Sequence, residues 1–181
     1  MADNAAMDGP IETLDFAAHW PTIKRVVEVG QASTIYCSIA SLNADGSPTI
    51  TPIGTVFLRD DCTGYFFDQY TQALARNVAQ NPHVCLMAIN AGRWFWLKSL
   101  LFGRFASPPG VRLYGTMGAR RPATSDELAR IARRVNPSRW LKGSRALWSD
   151  FTHVRDLHFT VCRPVVYPVM MEGLWNESKG K

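Results

Sequence analysis

The stretch GSPTITPIGTVF, Gly46 to Phe57, has the composition of a strand, with Thr49, Ile50, Thr51, Ile53, Thr55, Val56 and Phe57 all β-branched or aromatic. Pro52 and Gly54 interrupt it, one removing a ladder donor and the other a packing side chain. At a sheet margin the pair has a use: Gly54 lets a flat aromatic ligand approach the main chain, and nearby N–H and C=O groups are free to bond its heteroatoms. The same pair equally suits an edge strand blunted against aggregation, or a bulge. A second stretch, DQYTQALARN from Asp68 to Asn77, reads as a strand end, a polar turn and a helix start. Backbone N–H groups after Thr71 then converge on a point that favours an anion, and Arg76 adds a charged fork from the next turn. Thr71 as a plain helix cap and Arg76 as a solvated surface residue are the alternatives.

Around these stretches the periodicity predicts mostly strands. Pro21 suits the first position of a short helix over about 21–31. STIYCSIASL then alternates Ile35, Cys37 and Ile39 against Tyr36, Ser38 and Ala40, and NADGSP supplies a hairpin turn into the interrupted strand. RDDCTG turns the chain into YFFD, and Thr71 caps a helix that places Leu74 and Val78 on one face and stops at Asn81-Pro82. HVCLMAIN and VRLYGTMG are further strands. TSDELARIARRV is a helix capped by Thr124 or Ser125 with Leu128, Ile131, Ala132 and Val135 as its apolar stripe, and NPSRWLKGSRALWSDF continues for a helical turn or two. DLHFTVCRPVVYPVM closes with one or two strands broken by Pro164 and Pro168. Six or so antiparallel strands with helices outside make a mainly β fold, a small closed or half-open barrel.

A composition of 46% apolar and 19% charged residues is that of one soluble globular domain. The division expected is an N-terminal arm over 1–20 and a single domain over 21–181, with an insertion at about 91–110. The first residues have neither a basic nor an apolar leader segment, so a cytoplasmic location is expected. Cys37, Cys62, Cys85 and Cys162 stand singly with no histidine at ligand spacing, which points to no metal; the first, third and fourth read as small core hydrophobes and Cys62 as a turn residue. The net charge of +5 is uneven: Arg93 to Arg145 holds twelve Lys/Arg against Asp126 and Glu127. That half attracts anions, whether cofactor, substrate, lipid surface or nucleic acid.

The order of IYCSIASLNADGSPTITPIG, YFFDQYT and ARNVAQNPHV resembles the pyridoxamine 5'-phosphate oxidase-like family of FMN-binding split barrels, most closely over about residues 20–90. The resemblance implies a six-stranded antiparallel split β-barrel that pairs into a homodimer, with FMN in a groove between the two copies. It implies an FMN-dependent oxidoreductase acting on an unidentified small molecule. The alternative within the resemblance is a non-catalytic module holding haem, a deazaflavin or another anionic ligand, or lying on an anionic surface. The carried-over cofactor positions are Thr51, Pro52, Ile53 and Gly54 for the ring and Tyr70, Thr71, Arg76 and Asn77 for the phosphate. Leu74, with Ala73 beside it, stands where the family commonly has a basic residue, a loss of about 1.5–3 kcal/mol of charge-assisted bonding. Arg93 in a second copy is one candidate replacement. The chain also lacks an Arg-Leu-x-Pro ending, so pyridoxamine phosphate is not the expected substrate. No acid, base or nucleophile stands out.

The insertion GRWFWLKSLLFGRF packs eight large apolar residues among Arg93, Lys98 and Arg104. A flap over the ligand groove or part of a subunit contact is the first expectation, since large apolar patches are seldom left exposed. A membrane foot and a base-stacking surface are the rivals. His19, His83, His153 and His158 read as structural or exposed; a haem-binding variant would take His158 or His153 as axial ligand.

Overall fold

A computed structural model describes residues 13–136 and 151–175. One seven-stranded antiparallel sheet runs in the order β2-β1-β5-β6-β7-β4-β3. Its strands are β1 (Cys37–Leu42), β2 (Pro48–Ile53), β3 (Val56–Leu58), β4 (Thr63–Phe67), β5 (His83–Ile89), β6 (Gly110–Pro122) and β7 (His153–Pro164). The helices are α1 (Thr13–Thr34), α2 (Gln72–Gln80), α3 (Arg93–Phe102) and α4 (Ser125–Val135). The terminal strands β2 and β3 are consecutive in the chain and separated only by Gly54 and Thr55. At no more than about 3.6 Å per residue, Ile53 and Val56 lie within about 11 Å of each other. The sheet must therefore curl until its two margins meet, which makes a split barrel. The expected six strands become seven because the interrupted strand is broken in two at this seam.

Inward alternation fills the barrel. Cys37 and Ile39 of β1, Leu86 of β5, Val111 and Leu113 of β6 and Leu157 of β7 are all at most 1% exposed. α1 closes one side with Trp20, Ile23 and Val27, and α2 adds Leu74 and Val78. α1 is twice the expected length: Pro21 lies inside it, and Phe16 and Trp20 before the proline are buried. Trp20 Nε1 donates to the Arg59 carbonyl at 2.7 Å, which ties that early turn to the sheet. Burying two aromatic side chains, each worth up to about 3 kcal/mol, outweighs one missing helix hydrogen bond.

α4 rests on a smaller core of Phe57, Tyr65, Phe67, Ile131 and Val154. Its N-terminus is a capping box: the Thr124 hydroxyl accepts from the Glu127 N–H while the Glu127 carboxylate accepts from the Thr124 N–H. Of its expected stripe Ile131 is buried and Val135 partly so, whereas Leu128 and Ala132 face outward. The continuation expected over 136–151 falls mostly outside the described residues. Cys37 and Cys162 are core residues whose thiols burial pushes up to about 12, so both stay protonated. Cys62, in the Arg59–Gly64 turn, is half-buried.

Glu127 also anchors an ion network. Its Oε1 accepts from Arg59 and Arg121 at 2.8 Å each, and Asp156 accepts from the same two guanidinium groups at 2.9 and 2.6 Å. Burial alone would raise the Glu127 pKa, but Arg121, the Thr124 N–H and Arg59 together hold it at about 2. Arg121 does the same for Asp156, again to about 2. Because both folded values lie below those of the unfolded chain, unfolding takes up protons as the pH drops. The stabilisation is complete above about pH 5 and is lost as pH falls towards 2, on the order of 3 kcal/mol for the coupled pair. Urea denaturation at pH 6 and pH 3 should show this drop, and E127Q/D156N should flatten it; an equal drop in that variant would assign acid sensitivity to other groups.

Candidate functional site

The seam opens into a cleft of about 610 Å³. Thr51, Pro52, Ile53, Gly54 and Thr55 form one wall, the end of α1 with Gln31 and Ile35 a second, Gln69, Tyr70 and Thr71 a third, and Ile131 and Arg134 of α4 a fourth. Most of the lining is apolar, with Phe67 and Phe151 in contact at 5.0 Å between ring centroids. Pro52 pairs with Ser38 on β1, and β2 has no partner on its other side within the sheet. One line of its main-chain N–H and C=O groups is thus left unused by the ladder. The strand runs through Pro52 to Ile53, and the chain leaves this margin of the sheet at Gly54 and Thr55 to join the other.

Two side chains bridge the break. Gln31 Nε2 donates to the Gly54 carbonyl at 2.9 Å. Arg134 Nη1 donates to Val56 O at 2.9 Å and Gln31 Oε1 at 3.2 Å, while its guanidinium lies 3.8 Å from the Phe57 ring centroid. Burial pulls the Arg134 pKa down from the usual guanidinium value. The rim is conformationally strained. Ile35 and Tyr70 are non-glycine residues with φ of +66° and +60°, and they are 80% and 76% exposed. A left-handed β-branched residue is rare, and such positions concentrate at functional sites.

Of the eight positions expected to bind a cofactor, six line this cleft: Thr51, Pro52, Ile53, Gly54, Tyr70 and Thr71. Arg76 and Asn77 do not. Arg76 is exposed on α2, and buried Asn77 donates to Ser41 Oγ at 3.0 Å and Asn43 Oδ1 at 2.9 Å, tying α2 to the first hairpin. Thr71 stands at the N-cap of α2, but its hydroxyl makes no capping bond and donates instead to Asp68. Leu74 is in the main core, so no side chain at that position of this chain reaches the cleft. Sequence reasoning missed Gln31, Ile35 and Arg134. Arg134 was legible only as one of many basic residues, and nothing local tied it to the seam 80 residues earlier.

The insertion is α3, seated on an aromatic cluster of Phe95, Trp96, Phe105 and Tyr167 and pinned by Trp96 Nε1 to Asn90 O at 2.8 Å. Its other side leaves Trp94, Leu97, Leu100, Leu101 and Phe102 exposed. No residue of α3 lines the seam cleft, so within one chain it is not a flap over it. His153 and His158 do not line the cleft either, and among the described residues no group of three or more His, Cys, Asp or Glu is placed to hold a metal. Among the described residues no helix is long and apolar enough to cross a membrane.

Solved structures share this architecture. An FMN-binding protein from Syntrophomonas wolfei subsp. wolfei is 12% identical, with 83% of this chain and 90% of that one covered and a TM-score of 0.57. HupZ of Group A Streptococcus is 14% identical over 78% of this chain and 91% of that one, with a TM-score of 0.50. An F420 reductase is 16% identical over 78% and 93%, also with a TM-score of 0.50. At these identities the likeness is one of fold. A comparison with curated proteins gave no match. The family described as pyridoxamine 5'-phosphate oxidase matches residues 23–158, a span holding the seam, the Thr71 corner and α4. Family match and barrel agree: the chain belongs to the pyridoxamine 5'-phosphate oxidase family.

Proposed function

We propose that the chain binds FMN, or a ligand of the same flat-ring and anionic-tail class such as a deazaflavin, in the seam cleft, and acts as an oxidoreductase on a small organic molecule. The observation that carries this reading is the cleft itself: an apolar slot of about 610 Å³ at a break in the sheet, bordered by main chain unused by the ladder and by two strained residues. Such a slot suits three fused rings, since its apolar walls take the ring faces and main-chain groups of β2 take the ring-edge heteroatoms. The fold of an FMN-binding protein and of an F420 reductase supports the same class.

When bound, a flavin supplies the hydride-accepting ring. The chain's own part is positioning. Thr51 to Gly54 would fix the ring edge, Ile35 and Tyr70 would flank the mouth and keep water from the ring, and Arg134 would present a positive charge beside Gly54. Among the described residues Glu28, Tyr70 and Arg134 are the ionisable ones that line the cleft. Pairing into a homodimer that covers the cleft mouth belongs to the same proposal. Ile35 and Tyr70, which line the cleft, both stand exposed.

The test is direct. Purified chain titrated into FMN should quench and shift the flavin spectrum in a saturable, one-to-one manner, and a reduced nicotinamide should bleach the bound ring. Flavin fluorescence unchanged at any protein concentration would end the flavin reading.

A further inference from the structure

The tail end of such a ligand carries two negative charges, and the corner expected to receive them is poorly suited. The Thr71 hydroxyl is committed to Asp68. The Asp68 side chain is 7% exposed and already holds Arg155 at 2.7 Å and Arg120 at 3.6 Å. A phosphate arriving there meets a carboxylate, with the two nearby guanidinium groups already engaged. Leu74 points into the core and Arg76 outward, so α2 adds no cation to the cleft.

Unpaired positive charge lies at the other end. Beside the main cleft is a smaller, more polar one of about 280 Å³, lined by Arg130, Arg133 and Arg134 of α4 with Glu28 and Gln31 of α1. Glu28, Gln31 and Arg134 line both, so the two clefts adjoin at these three side chains. Three guanidinium groups against one carboxylate leave a net positive wall. Among the described residues none of the three arginines forms an ion pair, whereas Arg59, Arg120, Arg121 and Arg155 all do. Arg134 is already held by Val56 O and the Phe57 ring, and Arg130 lies 6.0 Å from the same ring centroid. A guanidinium fixed in advance loses little further freedom on meeting an oxyanion, and its fork matches phosphate oxygens.

We propose that the anionic tail of the ligand runs along α4 and is held by Arg130, Arg133 and Arg134, not at the Thr71 corner. This rests on the reading of the seam cleft as the seat of the ring. FMN and riboflavin differ only by the phosphate, so comparing them isolates the tail. With the full chain, FMN should bind about tenfold or more tightly than riboflavin at low salt, and the gap should close as salt is raised. R130Q/R133Q should weaken FMN about tenfold and leave riboflavin unchanged, which also shows that the cleft is intact; R133Q alone, at an exposed position, should give a smaller loss in the same direction. R76Q should change neither ligand. Loss of FMN affinity in R76Q with none in the α4 variants overturns the assignment, as does equal binding of FMN and riboflavin at every salt concentration. Binding of neither flavin overturns the cofactor reading itself, and this inference with it.

Discussion

Replacing Gly115 with alanine should lower the unfolding free energy by about 3–5 kcal/mol, above the ordinary range for overpacking because the obstructing atoms are backbone. A Cβ on Gly115 would collide with the His158 carbonyl and come within 2.8 Å of the Phe159 Cα. Neither can swing aside as a side-chain end would. The register jumps at this point, from Tyr114 opposite Val161 to Gly115 opposite Phe159, so β7 carries an extra residue and bends towards β6. Gly118 is the control on the same strand: its added Cβ would find nothing nearer than the Asp156 carbonyl oxygen at 3.7 Å. Gly118→Ala should cost no more than about 1 kcal/mol. Urea denaturation of the two variants in parallel decides the matter, and a Gly115→Ala protein as stable as the Gly118→Ala one would mean that the strands do not approach as described.

The second large effect is on ligand binding. Gly54→Val should weaken flavin binding about 100-fold, equivalent to about 2.7 kcal/mol, and lower stability by about 1–3 kcal/mol because its Cβ crowds a backbone oxygen. Gly54 lies on the cleft wall facing Ile35, where a Cβ would stand 3.1 Å from the Ile35 carbonyl oxygen. The Gly54 backbone is outside the left-handed region, so valine can adopt it. Its methyl groups would then project where the ring is expected to meet the main chain. Fluorescence titration with FMN and with riboflavin measures the loss, which should be the same for both because the change is at the ring. Unaltered affinity would place the ring elsewhere.

Much of this fold was legible along the chain because its strands alternate cleanly. HVCLMAI reads as a strand and is β5, and Asn43 to Ser47 forms the expected hairpin turn, with the Asn43 N–H donating to Ser47 O at 2.9 Å and Gly46 at φ +81°. Errors came where tertiary contacts overrule local preference. Pro21 looks like a helix start, yet the burial of Phe16 and Trp20 carries α1 through it. Thr71 looks like a cap, yet a neighbouring carboxylate takes its hydroxyl. Leu128 fits the apolar stripe of α4, but the small core beneath takes Ile131 and part of Val135 while Leu128 stays exposed. The candidate site divides in the same way. Its local half, Thr51 to Gly54 and Tyr70 to Thr71, lies in the two stretches that carry the family resemblance, which also pointed to Arg76 and Asn77 outside the cleft. Its distant half, Gln31 and Arg134, depends on how the barrel closes, and no pattern within either segment encodes that.

Closure at the seam has a mechanical corollary. Elsewhere neighbouring strands are laced by ladders, but β2 and β3 are joined by two residues of chain, and Gln31 and Arg134 bond the Gly54 and Val56 carbonyls at that break. Prising this margin apart therefore ruptures a few side-chain bonds where any other parting would unzip a whole row of amides. The barrel is hinged like a clasp, and those two side chains are its catch.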